Sequence, residues 1–201
     1  RQAVFVFDEK AGELQVWDHA DGVLNFVAPS GLALAPDGGI FVADAELAAV
    51  FRLDARGETR AVIGRGLLQR PTGVARDPGD GTLFVADTQA HDIKVFDAEG
   101  RLKRVIGRRG AGDGEFNYPT HLAFAQGELY VTDTLNSRIQ IFGAQADRPS
   151  RRFGSRGLNL GNLVRPKGVS VDGEGNIYVV ESYYDSLLVF SAQGDFLMPI
   201  G

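Results

Sequence analysis

Pro119-Thr120-His121-Leu122-Ala123, followed by Leu129-Tyr130-Val131-Thr132-Asp133 and then by an apolar segment closing at Phe142-Gly143, recurs along the chain. The first anchor returns as Pro29-Ser30-Gly31-Leu32-Ala33, Pro71-Thr72-Gly73-Val74-Ala75 and Pro166-Lys167-Gly168-Val169-Ser170, with prolines 42, 48 and 47 residues apart. The second returns as Ile40-Phe41-Val42-Ala43-Asp44, Leu83-Phe84-Val85-Ala86-Asp87, Ile177-Tyr178-Val179-Val180-Glu181 and, at the start of the chain, Val4-Phe5-Val6-Phe7-Asp8. Nine residues beyond each acidic side chain stands a bulky apolar one: Trp17, Leu53, Phe96, Phe142 and Phe190. Self-similarity at this period marks a repeat architecture.

Each segment is short, rich in Val, Ile, Phe and Tyr, and bounded by Gly, Asp and Pro, which is the pattern of strands. Asp37-Gly38-Gly39, Gly79-Asp80-Gly81, Gln126-Gly127-Glu128 and Gly173-Glu174-Gly175 mark the first turn of each unit, and Arg56-Gly57, Glu99-Gly100 and Gln193-Gly194 the third. Glycine supplies the positive φ such hairpins need. A last strand runs toward Gly64, Gly107 and Gly201, while Asp147-Arg148-Pro149-Ser150 lengthens the turn before Gly154. Four antiparallel strands per unit of this size form a blade of a β-propeller. With the strands of a unit named a to d, the chain reads as b, c and d of one blade and four complete blades, nineteen strands in all. The segments are 1–28, 29–70, 71–118, 119–165 and 166–201 of one all-β domain. The natural ring is expected to have six blades and to continue for about one blade more; a five-bladed ring lacking one inner strand is the alternative.

The chain has 201 residues, a net charge of −5, 44% hydrophobic and 23% charged residues and no cysteine, the balance of an ordinary globular chain. Disulfides, thiolate metal sites and cysteine nucleophiles are thereby excluded. No apolar run approaches the roughly 20 residues of a membrane-spanning helix. The chain opens at Arg1 rather than Met, so a processed product is expected, whose signal peptide or lipid anchor would be lost with the missing residues.

The copies resemble the NHL repeat, most closely at Tyr130-Val131-Thr132-Asp133-Thr134-Leu135-Asn136-Ser137-Arg138-Ile139-Gln140-Ile141-Phe142, preceded by Gly110-Ala111-Gly112-Asp113-Gly114-Glu115-Phe116-Asn117-Tyr118-Pro119. The resemblance covers almost the whole chain and implies a propeller, but not a function, since the same ring serves RNA binding, protein binding, sensing and amidating-lyase chemistry. Similarity to secreted or lipid-anchored bacterial members implies an extracytoplasmic location, periplasmic or at the cell surface.

Strands that alternate direction bring the b-to-c loops and the d-to-a linkers out on one face, where binding residues are expected. His121 stands where the other copies have Gly31, Gly73 and Gly168, at the start of an inner strand. It reads either as a ligand contact at the channel mouth or as a polar side chain filling the space that glycine leaves. His91 lies in a b-to-c loop on that face and His19 in a turn on the other, so the three cannot converge on one metal. The recurring Asp8, Asp44, Asp87, Asp133 and Glu181 are expected to bond loop amides rather than to catalyse. Tyr183 and Tyr184 replace the Thr-x-Asn loop of the other copies, Arg108 and Arg109 lie in a linker, and Asn136 and Arg138 in the best copy's loop. Tyr and Arg are the residue types enriched at binding hot spots. The face counts eight bases, Lys10 among them, against twelve acids, which argues against nucleic acid as partner. Arg101, Lys103 and Arg104, and Arg148, Arg151 and Arg152, fall on outermost strands, where charge blocks edge pairing. The expectation is a non-enzymatic scaffold with a protein partner, no cofactor and no membrane insertion. A divalent-ion hydrolase or lyase working in the channel, or a ligand-sensing domain of a larger receptor, remain the alternatives.

Overall fold

The computed structural model describes residues 2–9, 12–20 and 24–201. Lys10 lies outside them. The first sheet pairs β1 (Val4–Asp8) with β2 (Glu13–Trp17). Four four-stranded antiparallel sheets follow in chain order. They are β3 (Pro29–Leu34), β4 (Ile40–Asp44), β5 (Ala49–Leu53) and β6 (Thr59–Ile63); then β7 (Pro71–Arg76), β8 (Leu83–Asp87), β9 (Asp92–Phe96) and β10 (Leu102–Ile106). The last two are β11 (Pro119–Ala125), β12 (Glu128–Asp133), β13 (Arg138–Gly143) and β14 (Arg151–Phe153); then β15 (Pro166–Val171), β16 (Ile177–Glu181), β17 (Ser186–Phe190) and β18 (Phe196–Ile200).

The strands fall where the repeat places them, with one correction. The first copy was expected to carry a third strand, but its described residues give only an isolated bridge between His19 and Asn25. The reason is length. Trp17 and Pro29 are 12 positions apart, whereas Leu53 and Pro71 are 18 apart, too short a span for a turn, a five-residue strand and a linker. The turn glycines behave as expected, Gly57 and Gly100 both at φ +81°.

Packing is between neighbouring blades. Phe84, Ala86 and Val95 join Phe116, Leu129, Val131 and Phe142 in one cluster; Tyr130, Ile139 and Ile141 join Ile177, Val179 and Phe190 in the next. The second strand β8 is covered on both faces and buried at all five positions, whereas β16 leaves Val180 44% exposed. Among the described residues the first sheet has two strands, and the inner strand β3 beside it is less covered than its counterparts. Leu32 is 58% exposed, while its counterparts Val74 and Leu122 are 4% and 9% exposed.

Hydroxyls sew the inner ends together. Thr88 Oγ1 donates to the Pro119 carbonyl at 2.6 Å, and Thr134 Oγ1 to the Pro166 carbonyl at 2.9 Å, each reaching into the following blade. Thr72 Oγ1 donates to the Thr120 carbonyl at 2.8 Å. Replacing Thr88 with Val keeps the shape and removes the donor, so urea denaturation should show about 1 kcal/mol less stability. Ser182, at the same position of the last blade, bonds the Arg165 carbonyl and is exposed, so Ser182→Ala should change little.

The outer cations do more than guard edges. The Arg104 guanidinium bonds the carbonyls of Ala144 and Ala146 and pairs with Asp147 in the next blade. Arg151 pairs with Glu128 at 2.9 Å.

Candidate functional site

Four of the recurring carboxylates are fully buried, and each is occupied by backbone amides of the linker that leads into its own blade. Asp44 accepts from Val27 and Ala28, Asp87 from Gln69 and Arg70 at 2.9 and 2.8 Å, and Glu181 from Val164 and Arg165 at 2.8 and 2.9 Å. Asp133 accepts from Asn117 at 2.7 Å and also from Asn136, Arg138 and Gln140. Two of the four recruit a cation: Lys94 Nζ lies 3.1 Å from Asp87, and Arg138 Nε 2.8 Å from Asp133. A buried carboxylate needs such partners to stay ionised. Asp8 is exposed.

Several residues expected on the binding face are taken up by the protein itself. The Arg138 fork is 4% exposed and donates to the carbonyls of Ala111, Gly112 and Glu115 at 2.8 to 2.9 Å. Asn136 Nδ2 donates to the Gly110 carbonyl at 2.8 Å. Together they hold the glycine-rich loop of residues 110–115 over the end of β13. His91 is 8% exposed, with Nδ1 accepting the Tyr118 N–H at 3.2 Å and its ring edge-on to the Tyr118 ring at 4.8 Å. Arg108 pairs with Glu115 at 2.8 Å but stays 81% exposed. The Glu115 carboxyl sits below its ordinary range, first because the Gly112 N–H donates to it and then because Arg108 does.

Open residues on this face include Leu67, Arg108, Tyr118 and Leu135, and the densest group of exposed apolar side chains lies at the fourth and fifth blades. Tyr183 and Tyr184 are 57% and 39% exposed, their rings perpendicular at 5.0 Å. Beside them the linker of residues 155–164 exposes Leu158 and Leu160 at 75% and 78%. A hollow of about 310 Å³ between Arg156, Leu158, Val164 and Tyr183 joins the two elements. Arg109, Arg156 and Arg165 have no ion pair among the described residues. Leu158-Asn159-Leu160 between two glycines was the sequence signal for this patch, two leucines in a stretch with no strand to bury them. The burial of the four carboxylates and Arg138 also brings the exposed face near neutrality, where the sequence count made it acidic.

His121 behaves differently from His91. Its ring is half-buried, and its Nδ1 is buried without a hydrogen-bond partner. Burial, and then the charge of Lys167, hold it below the ordinary histidine range. The inner strands line an open hollow of about 500 Å³ that takes in Leu34, Arg76, Phe124 and Ser170 but not His121. Among the described residues no three His, Asp or Glu side chains gather closely enough to hold a metal ion.

A family described as 6-bladed beta-propeller matches residues 77–147. No curated protein sequence matches the chain. Among solved structures, a chain of a nidogen/laminin complex is 21% identical with a TM-score of 0.77, over 98% of this chain and 71% of that one. Virginiamycin B lyase from Staphylococcus aureus is 15% identical with a TM-score of 0.63, over 88% of this chain and 55% of the lyase. Hydrazine synthase of Kuenenia stuttgartiensis is 16% identical with a TM-score of 0.68, over 88% of this chain and 49% of that one. The chain thus spans about half the length of the last two. Its own sheets and these likenesses agree on one architecture: the chain is a β-propeller.

Proposed function

We propose that this chain is a non-enzymatic scaffold that binds a protein partner through the face bearing the b-to-c loops and d-to-a linkers. The observation that carries the reading is the patch of Tyr183, Tyr184, Leu158 and Leu160, rimmed by Arg156 and Arg165, which have no ion pair among the described residues. Aromatic anchors with arginine at the rim are the composition of interface hot spots, and single apolar residues this exposed are otherwise held apart on a surface. The recurring carboxylates and Arg138, which catalysis could have used, are consumed in holding loops. The nidogen/laminin neighbour comes from a complex of two proteins, which suits the same use. An extracytoplasmic location belongs to this proposal, as the NHL resemblance implies.

The test is a comparison of the protein with its Tyr183→Ala/Tyr184→Ala/Leu158→Asn variant, each immobilised and presented with extract of the source cells. A partner held by the first and lost by the second, with unchanged melting temperature, is the expected result. Retention of the same partners by both would remove the patch from the interface.

A further inference from the structure

The linkers into the fourth and fifth blades are one loop written twice. Gly107 to Pro119 and Gly154 to Pro166 each span 12 positions. Both close on a parallel bridge, Arg109 with Phe116 and Arg156 with Leu163, and both turn at a left-handed glycine, Gly114 at φ +78° and Gly161 at φ +84°. The Glu115 N–H donates to the Gly112 carbonyl at 3.1 Å, and the Asn162 N–H to the Asn159 carbonyl at 3.0 Å.

What fills the two loops differs. In the fourth blade the Arg138 fork donates to the carbonyls of Ala111, Gly112 and Glu115, while Gln140 donates to Glu115 and accepts the Gly114 N–H at 2.9 Å. β17 repeats the register of β13, with Ser186 opposite Glu181 as Arg138 is opposite Asp133, so Ser186 and Leu188 stand in place of Arg138 and Gln140. The carbonyls of Leu158 and Asn162, counterparts of those of Ala111 and Glu115, accept no hydrogen bond among the described residues. Glu181 holds the amides of Val164, Arg165 and Tyr183 but no cation, where Asp133 holds Arg138. The space left is a hollow of about 270 Å³ lined by residues 158–162 of the loop and by Tyr184, Ser186 and Leu188. Ser186 and Leu188 share one side of β17, and Leu188 packs there with Ile139 and Ile141 of the preceding blade. The hollow therefore belongs to a junction between two four-stranded sheets.

We propose that this hollow takes the guanidinium of an arginine from a partner protein, seated against the loop carbonyls as Arg138 is in the fourth blade. The site rests on the reading of the tyrosine patch, since Leu158, Leu160 and Tyr184 line it. Carbonyls spread along a loop suit a planar fork of five N–H donors better than the point charge of lysine. An aromatic ring such as that of Tyr184 adds attraction for the cation. Buried Glu181 and exposed Asp185 supply negative charge nearby, and Arg156 lines the neighbouring hollow instead of this one.

The experiment follows the backbone amides of Ser186 and Leu188 by NMR during titration with N-acetylarginine amide, N-acetyllysine amide and the uncharged N-acetylcitrulline amide at constant ionic strength. The expected result is a saturable shift with the arginine compound, binding about tenfold weaker with the lysine compound, and none with citrulline. Ser186→Arg/Leu188→Gln gives the fifth blade the side chains of the fourth. It should melt at a higher temperature, with its own guanidinium in the hollow, and lose the response to arginine. Ser186→Leu, which fills the hollow without a charge, should lose it as well. No saturable shift in the parent protein, or an undiminished one in both variants, would overturn the site. So would a partner from the cell extract that Ser186→Arg/Leu188→Gln still holds; if the Tyr183→Ala/Tyr184→Ala/Leu158→Asn variant loses that same partner, the scaffold reading stands without the guanidinium site.

Discussion

Asp133→Ala should lower the free energy of unfolding by about 3–5 kcal/mol, the range for removing one member of a buried ion pair. The carboxylate is wholly buried and gathers Asn117, Asn136, Arg138 and Gln140 around it. Without it the Arg138 guanidinium stays inside with its charge uncompensated, and the fork that holds the loop of residues 110–115 loses its anchor. Asp44→Ala leaves no buried cation behind, only the amides of Val27, Ala28, Glu46 and Leu47, so its loss should be smaller. Asp113→Ala is the surface comparison: that side chain is 61% exposed and its pair with Arg152 is worth about 0–1 kcal/mol. Urea denaturation of the three variants orders them. If Asp133→Ala unfolded no more easily than Asp113→Ala, the carboxylate would not be what organises this blade.

Gly73→Ala is expected to cost about 2–3 kcal/mol, at the upper end of overpacking penalties. A Cβ there would stand 2.6 Å from the Thr120 carbonyl oxygen and 3.0 Å from the His121 Cα. Both are backbone atoms of the neighbouring inner strand, so no side chain can turn aside and two blades must part. Gly31 repeats the geometry, 2.5 Å from the Thr72 carbonyl oxygen. Gly168 does not: its nearest atom would be Val180 Cγ2 at 3.4 Å, an ordinary contact, and Gly168→Ala should stay within about 0.5 kcal/mol of the parent. Thermal melts of the pair test the claim directly. Equal stability of Gly73→Ala and Gly168→Ala would show that the inner strands have room between them.

The repeat was legible because a blade is a local object. Its turn glycines, its prolines and its bulky closing residue all lie within one unit, and strand alternation is written in neighbouring residues. The work of Asp44, Asp87, Asp133 and Glu181 was legible too, since a residue that recurs blade by blade serves what the blades share. That the described residues of the first copy form no third strand could have been read from the short span between Trp17 and Pro29. Asn136, Arg138 and His91 could not. A polar side chain at a strand end looks the same in sequence whether it meets water or a loop, and here the loop folds back from about 26 residues away.

Sequence alone therefore determined the all-β class, the place of most strands and the structural role of the acidic residues, because each follows from local patterns multiplied by repetition. Tertiary structure alone decided which loop residues remain available. It drew Arg138, Asn136, His91 and four carboxylates inward and left Tyr183, Tyr184, Leu158 and Leu160 outside. Those outcomes depend on contacts between linkers and neighbouring blades, where desolvation and hydrogen bonding are settled by residues distant in the chain.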